Sequence, residues 1–123
     1  VIAQAIEERF MFYIYGLHLK GDDEIRYVGS TCNPQSRLWA HLRDTEKGTP
    51  KDLWVKENYT RICMKILATA AERDRRKAEQ RAILECFGKG HRLFNVRSAA
   101  RIGATVEDVT WWLDYIEGKG LPF

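Results

Sequence analysis

Two runs rich in aromatic and β-branched residues, at positions 10–19 and 25–28, constrain the fold of this chain more than any other feature. Such side chains favour β-strands because they pack well on a pleated, half-buried surface. A polar segment that contains Gly21 separates the two runs, as the loop of a hairpin does. The sequence therefore predicts a β-hairpin over residues 10–28.

A helix signal follows the hairpin. Asn33 is a preferred N-cap residue, and Pro34 suits the first helical position, where no backbone N–H is needed. Leu38 and Leu42, one turn apart, mark the side of this helix that faces the core. We expect the helix to end before Gly48.

The rest of the chain supplies one more strand and three helical segments. The patterns predict a short helical turn at 53–58, a strand at 61–67, a long helix at 70–87 and an amphipathic helix at 106–117. We therefore expect a single α+β domain over residues 1–123. It has a small three-stranded antiparallel sheet flanked by helices, in the order β-β-α-β-α, and an extra C-terminal helix.

Charge is distributed unevenly along the chain. The net charge is +3, yet residues 25–101 carry 17 Lys and Arg against eight Asp and Glu, while residues 1–24 and 102–123 are each −3. A basic middle between acidic ends is typical of a phosphate-binding face. A solvated, arginine-rich surface is the other interpretation. No apolar run is long enough to span a membrane, so we expect no membrane partner.

The three cysteines, Cys32, Cys63 and Cys86, are widely spaced and odd in number. An odd set argues against a disulfide framework. Neither the cysteines nor the histidines have the spacing of a zinc site. We therefore expect free thiols and a reducing, cytoplasmic compartment.

Arg37 and His41 stand four residues apart on the first predicted helix and therefore share a face. An arginine suits a phosphate because its planar fork donates two parallel hydrogen bonds and stays charged. A histidine beside it can transfer protons near neutral pH. Taken alone, the pair also fits an ordinary exposed helix face.

Glu79 borders the side of the long helix that we expect to be buried, because apolar residues follow it at helical spacings. A carboxylate in such a place needs a cation. The open interpretations are a metal ligand and a salt bridge to Arg75 or Arg76.

Three further polar residues give little evidence of function when each is considered alone. Tyr15 and Tyr27 lie near the two hairpin strands, where tyrosines usually pack. Asn95 interrupts an apolar run, which most often marks a turn.

Together, these residues resemble the GIY-YIG nuclease superfamily. The resemblance rests on six elements in order: residues 13–15 (Tyr-Ile-Tyr), residues 27–31 (Tyr-Val-Gly-Ser-Thr), Arg37, His41, Glu79 and Asn95. It covers residues 12–96, which implies a catalytic core at about 10–97 and a helical extension at about 105–117.

The sequence departs from the family pattern in two places. Tyr13 stands where the first motif has glycine, so that motif is incomplete. Some homing members carry a second histidine shortly after the first helix, and here Thr49, Pro50 and Lys51 occupy that stretch. Lys51 is either a phosphate contact in place of that histidine or a solvated loop lysine.

The resemblance implies an endonuclease that hydrolyses double-stranded DNA with Mg²⁺ or Mn²⁺. Glu79 would anchor the metal, because Mg²⁺ commonly uses one carboxylate and keeps several waters. Arg37 would bind the scissile phosphate. Tyr15 would act as the general base, and His41 would relay its proton. Tyr27 would position the water or the phosphate, and it is the alternative candidate for the general base. Asn95 would orient Glu79 or hold the local backbone.

Two other functions stay open. A non-catalytic nucleic-acid-binding module would use the basic middle without cutting DNA. A partner-binding domain would use the aromatic residues Trp111, Trp112 and Tyr115, which also fit core packing. After Asn95 only one predicted helix remains, and no attached DNA-recognition domain is visible there. We therefore expect weak cleavage specificity, or specificity supplied by another region or a protein partner.

Overall fold

A three-stranded antiparallel sheet forms the centre of the computed structural model, which describes residues 11–95. Strand β1 (Met11–Leu19) lies between β2 (Tyr27–Thr31) and β3 (Ile62–Ala71). The pairing of β1 with β3 is irregular after Ile14, so that one residue of β3 bulges out of the ladder. The predicted α+β class and three-stranded sheet are confirmed.

Strand β2 is displaced from its predicted position. We expected it at residues 25–28, but Gly29 belongs to the strand and Ile25 does not. The backbone N–H of Ile25 donates instead to Nδ1 of His91 at 2.8 Å, and its side chain is buried. Glycine has a low strand propensity, and the pairing of Gly29 with Tyr15 on β1 overrides it here.

Within residues 11–95, three helices accompany the sheet: α1 (Pro34–Arg43), α2 (Pro50–Glu57) and α3 (Arg75–Gly88). Short 3₁₀ turns at Tyr59–Arg61 and Glu72–Asp74 flank β3. The predicted N-cap of α1 is confirmed, because the Asn33 side chain accepts a hydrogen bond from the Ser36 backbone at 3.1 Å.

Two helix boundaries differ from those predicted from the sequence. Helix α2 begins three residues earlier than expected, since the Thr49 hydroxyl caps it by accepting from the Asp52 backbone at 3.2 Å. Helix α3 begins at Arg75 and not at residue 70. Ala70 and Ala71 are strong helix formers, but both continue β3 through pairing with β1.

The core lies on both faces of the sheet. Neighbouring residues of β1 point to opposite faces, so Ile14 packs with Ile83 of α3 while Tyr15 packs with Trp54 of α2. Leu38 and Leu42 of α1 join the second cluster, as their spacing predicted. The sheet therefore separates α3 from α1 and α2.

The amphipathic helix predicted at 106–117 and its aromatic residues lie outside the described residues. Within the described range, no helix is long and apolar enough to cross a membrane.

Candidate active site

The hydroxyl of Tyr15 is the centre of a polar cluster on one face of the sheet. Tyr15 stands in the middle of β1 with its side chain fully buried. Its oxygen lies 2.6 Å from Nε2 of His41 and accepts a hydrogen bond from Nε of Arg37 at 3.3 Å. The helical spacing that placed Arg37 and His41 on one face thus brings both to the same oxygen.

Tyr27 completes the aromatic part of this cluster. It begins β2 and is half-buried. Its ring centroid lies 5.3 Å from that of His41 and 6.4 Å from that of Tyr15. The two motif tyrosines and His41 therefore form one packed group.

Gly29 makes the close approach of Tyr15 to β2 possible. It pairs directly with Tyr15 in the sheet, and a β-carbon at this position would collide with the Tyr15 hydroxyl. Sequence reasoning gave this glycine no role of its own, although it stands inside the second motif. Its requirement here is steric, since its φ is not in the left-handed region.

Lys51 and Asp52, in the first turn of α2, approach the cluster from its other side. The Lys51 ammonium lies 3.1 Å from Nδ1 of His41 and 2.9 Å from Oδ1 of Asp52. Asp52 is only 2% exposed. Nothing in the sequence pattern marked Asp52 as a site residue, because an acidic residue in the first turn of a helix usually has a purely local role.

Burial sets the ionisation of these groups. It raises the pKa of Tyr15 to about 12, although the hydrogen bond from Arg37 works in the opposite direction. Burial also raises the pKa of Tyr27. Burial, and then the positive charge of Lys51, lowers the pKa of His41 to about 3. At neutral pH both tyrosines keep their protons and His41 is neutral.

Glu79 approaches from α3, across the sheet from α1. Its Oε2 accepts a hydrogen bond from the Ser30 hydroxyl at 3.0 Å, and Arg75 donates to the same hydroxyl at 3.4 Å. The negative charge of Glu79 is among the smaller causes that raise the pKa of Tyr15 and Tyr27. The charge of Glu79 therefore acts on both tyrosines of the cluster, and its side chain is fixed to β2 by the hydrogen bond from Ser30. The sequence pattern did not mark Ser30 as a site residue.

Asn95 holds β2 from its outer edge. Its side-chain oxygen accepts from the Val28 backbone N–H, and its amide nitrogen donates to the Val28 carbonyl, both at 2.8 Å. Of the two roles predicted for Asn95, these bonds correspond to holding the local backbone. Val28 lies between Tyr27 and Gly29, so Asn95 fixes the strand that carries the second motif.

Metal ligands are sparse at this site. Among residues 11–95, no three His, Cys, Asp or Glu side chains lie close enough together to hold a metal ion. The predicted single-carboxylate site needs no such group. The half-buried Glu79 and the hydroxyl of Ser30 offer oxygen atoms, the ligand type that Mg²⁺ and Mn²⁺ prefer.

Comparison with known proteins adds no relative: no protein-family model, no curated protein and no solved structure matches this chain.

Proposed function

We propose that this chain is a metal-dependent endonuclease that hydrolyses phosphodiester bonds of double-stranded DNA. One observation carries the proposal: the buried Tyr15 oxygen is bonded to both Arg37 and His41. Tyr15 comes from β1 and the other two residues from α1. Their convergence has a cost, because a buried tyrosine hydroxyl and a buried imidazole could each be replaced by apolar packing. Ionisable groups with perturbed pKa values that converge on one atom are typical of catalytic sites.

Arg37 is the proposed phosphate ligand. Arg37 is an exposed residue, but its Nε points inward and donates a hydrogen bond to the Tyr15 oxygen. A phosphate arriving from solvent would meet this guanidinium first. Because the guanidinium stays charged at every relevant pH, it would stabilise the negative charge that develops on the phosphate oxygens in the transition state.

Tyr15 is the proposed general base, acting as tyrosinate on the attacking water. With a pKa of about 12, only a small fraction of Tyr15 is ionised at neutral pH. We therefore expect the rate to rise with pH over the alkaline range, about tenfold per unit below the pKa that applies in the substrate complex. Tyr27, half-buried beside Tyr15, would position the water or the phosphate.

Glu79 is the proposed ligand of one Mg²⁺ or Mn²⁺, with its remaining coordination positions filled by water and a phosphate oxygen. Glu79 lies on the α3 side of the sheet, but its charge raises the pKa of both Tyr15 and Tyr27. A metal held there would therefore supply charge neutralisation at a phosphate bound beside these tyrosines. The bond from Ser30 fixes one oxygen of the carboxylate. Asn95 supports the site indirectly by fixing β2.

The basic middle of the sequence supports DNA as the substrate, since lysines and arginines release counterions from the phosphate backbone. Sequence specificity would come from another region or a protein partner. The three cysteines are free thiols, which supports a reducing, cytoplasmic compartment.

Plasmid nicking tests the proposal. Wild-type protein should nick DNA with Mg²⁺ or Mn²⁺ and not with EDTA. Glu79→Gln should lose cleavage yet keep DNA binding, because removing a carboxylate beside phosphate relieves repulsion. Glu85→Gln, an exposed carboxylate on the same helix, is the matched control and should retain wild-type activity.

The outcomes separate the two functions. If Glu79→Gln retains more than about a tenth of the wild-type rate, which is 1.4 kcal/mol, the assignment of Glu79 fails. If the wild-type protein binds DNA with a steep salt dependence but never cuts it with either metal, the chain is the non-catalytic binding module.

The identity of the base is tested by pH–rate profiles of Tyr15→Phe and His41→Ala. Tyr15→Phe removes the accepting oxygen with little change in volume and should stay inactive at every pH. His41→Ala keeps the hydroxyl and should recover activity toward alkaline pH as the phenol ionises unaided. The reverse pattern would make His41 the base.

A further inference from the structure

We propose that Lys51, held by Asp52, is a positioning residue that fixes His41 in the Nε2–H tautomer, so that His41 donates its hydrogen bond to Tyr15. The catalytic consequence rests on the proposed nuclease function, whereas the tautomer itself does not. The role differs from the phosphate contact that the sequence suggested for Lys51.

The tautomer follows from the contacts of the two ring nitrogens. Lys51 approaches Nδ1 of His41 to 3.1 Å, and an ammonium group has only donors. Nδ1 must therefore accept. A neutral imidazole carries a single N–H, so the proton is on Nε2, which lies 2.6 Å from the Tyr15 oxygen.

Asp52 keeps Lys51 in this position. The Lys51–Asp52 ion pair is 2.9 Å long, and the two side chains are 19% and 3% exposed. A buried carboxylate needs such a cation. The Lys51 ammonium also lies 5.4 Å from the ring centroid of Tyr27, which favours the same position.

The Tyr15 oxygen then accepts two hydrogen bonds, one from His41 and one from Arg37. Two donors aimed at one phenolic oxygen stabilise its anion more than its neutral form. Because Nε2 already carries a proton in this tautomer, His41 donates to the Tyr15 oxygen and cannot take its proton. The stabilised tyrosinate would take the proton of the attacking water as the water oxygen bonds to phosphorus and the bond from phosphorus to the leaving oxygen breaks.

The charges around His41 agree with a neutral donor. Burial lowers its pKa most, and the positive charges of Lys51 and Arg37 lower it further. The groups that act on it are Tyr15 from β1, Tyr27 from β2, Arg37 from α1, Asp44 just after α1, and Lys51 and Asp52 from α2.

Nitrogen-15 NMR of the histidine side chains tests the tautomer without any nuclease assay. In the wild-type protein at neutral pH, His41 should carry its proton on Nε2. Lys51→Met removes the donor to Nδ1 and leaves Nε2 free to accept from Tyr15, so the proton should move to Nδ1 and the pKa of His41 should rise. Lys51→Arg keeps the charge and should keep the Nε2–H form.

Two further variants control the experiment. Lys56→Met removes the same charge from an exposed position of α2 and should leave the tautomer unchanged. Because Lys51→Met leaves a buried carboxylate unpaired, the double change Lys51→Met with Asp52→Asn provides a neutral pair that can fold. An Nδ1–H form in the wild-type protein, or an Nε2–H form that persists in both Lys51→Met proteins, overturns the proposal.

Kinetics separate this proposal from that of the nuclease. A positioning lysine should affect kcat, with a loss of about tenfold or more in Lys51→Met and a rate that reaches its plateau at higher pH. A phosphate-contacting lysine would instead raise KM and reduce the salt slope of DNA binding by about one, and that result contradicts the positioning role. If no cleavage occurs in any variant, the nuclease proposal fails while the NMR result still decides the tautomer.

Discussion

The low pKa of His41 makes a quantitative prediction about acid stability. Burial holds this pKa at about 3, against an ordinary value of 6.5. Below pH 6.5 the unfolded chain therefore binds a proton at this position that the folded chain does not. The stabilisation is complete above pH 6.5 and is lost as the pH falls from 6.5 toward 3.

The size of the effect follows from the same difference. Each pH unit between the two pKa values costs about 1.4 kcal/mol, so a fall to pH 4 gives an upper limit of about 3 kcal/mol. Screening by nearby solvent reduces this limit. We expect His41 to account for a loss of about 2 to 3 kcal/mol in the free energy of unfolding between pH 7 and pH 4.

Urea denaturation of wild-type protein and His41→Gln, at pH 7 and pH 4, measures this loss. Glutamine does not titrate and can still donate to Tyr15. Other acid-sensitive groups, such as Glu24, whose pKa the Arg92 side chain lowers, are present in both proteins and cancel in the comparison. Equal losses in the two proteins between pH 7 and pH 4 would refute the assignment of a buried, neutral His41.

Three more predictions test other parts of the site. Arg37→Lys keeps the charge but loses the planar fork, so kcat/KM for DNA cleavage should fall about tenfold or more in steady-state assays, and a near-wild-type value would reduce Arg37 to a surface charge. Asn95→Ala leaves the N–H and carbonyl of Val28 unpaired, and thermal or urea unfolding should show a loss of about 2 to 4 kcal/mol. Gly29→Ala forces Tyr15 to move, so nicking should fall far more than the 1 to 3 kcal/mol or so of stability that overpacking costs; unchanged activity would show that the position of Tyr15 does not matter.

Much of the site was predictable because its signals are local. The four-residue spacing of Arg37 and His41 on a helix fixes their common face, and Asn33 caps that helix as its side chain suggests. The motif residues Tyr15 and Tyr27 were placed on paired strands for the same reason: alternation along a strand depends on neighbours in sequence.

What the sequence could not predict depends on contacts between distant residues. The continuation of β3 through Ala70 and Ala71 needs the ladder of β1, which overrides helix propensity. The bond between Ser30 and Glu79 joins residues 49 positions apart, and nothing in either local pattern marks it. In the sequence, Asp52 looks like an ordinary acidic residue of a first helical turn. Its role depends on the fold, which places its partner Lys51 beside His41.

The pair of hydrogen bonds between Asn95 and Val28 lets the chain segment after α3 pair with β2 as a very short fourth strand would. The backbone N–H of Phe94 donates to the Arg26 carbonyl at 2.6 Å. The side-chain amide of Asn95 then forms the two hydrogen bonds with Val28 that a backbone peptide unit of a neighbouring strand would form. The outer edge of β2 is thereby covered at Val28, where it would otherwise be open to pairing with another chain. We expect that removal of the residues after Gly90 opens this edge beside Tyr27, so that aggregation and loss of the proposed active site appear together.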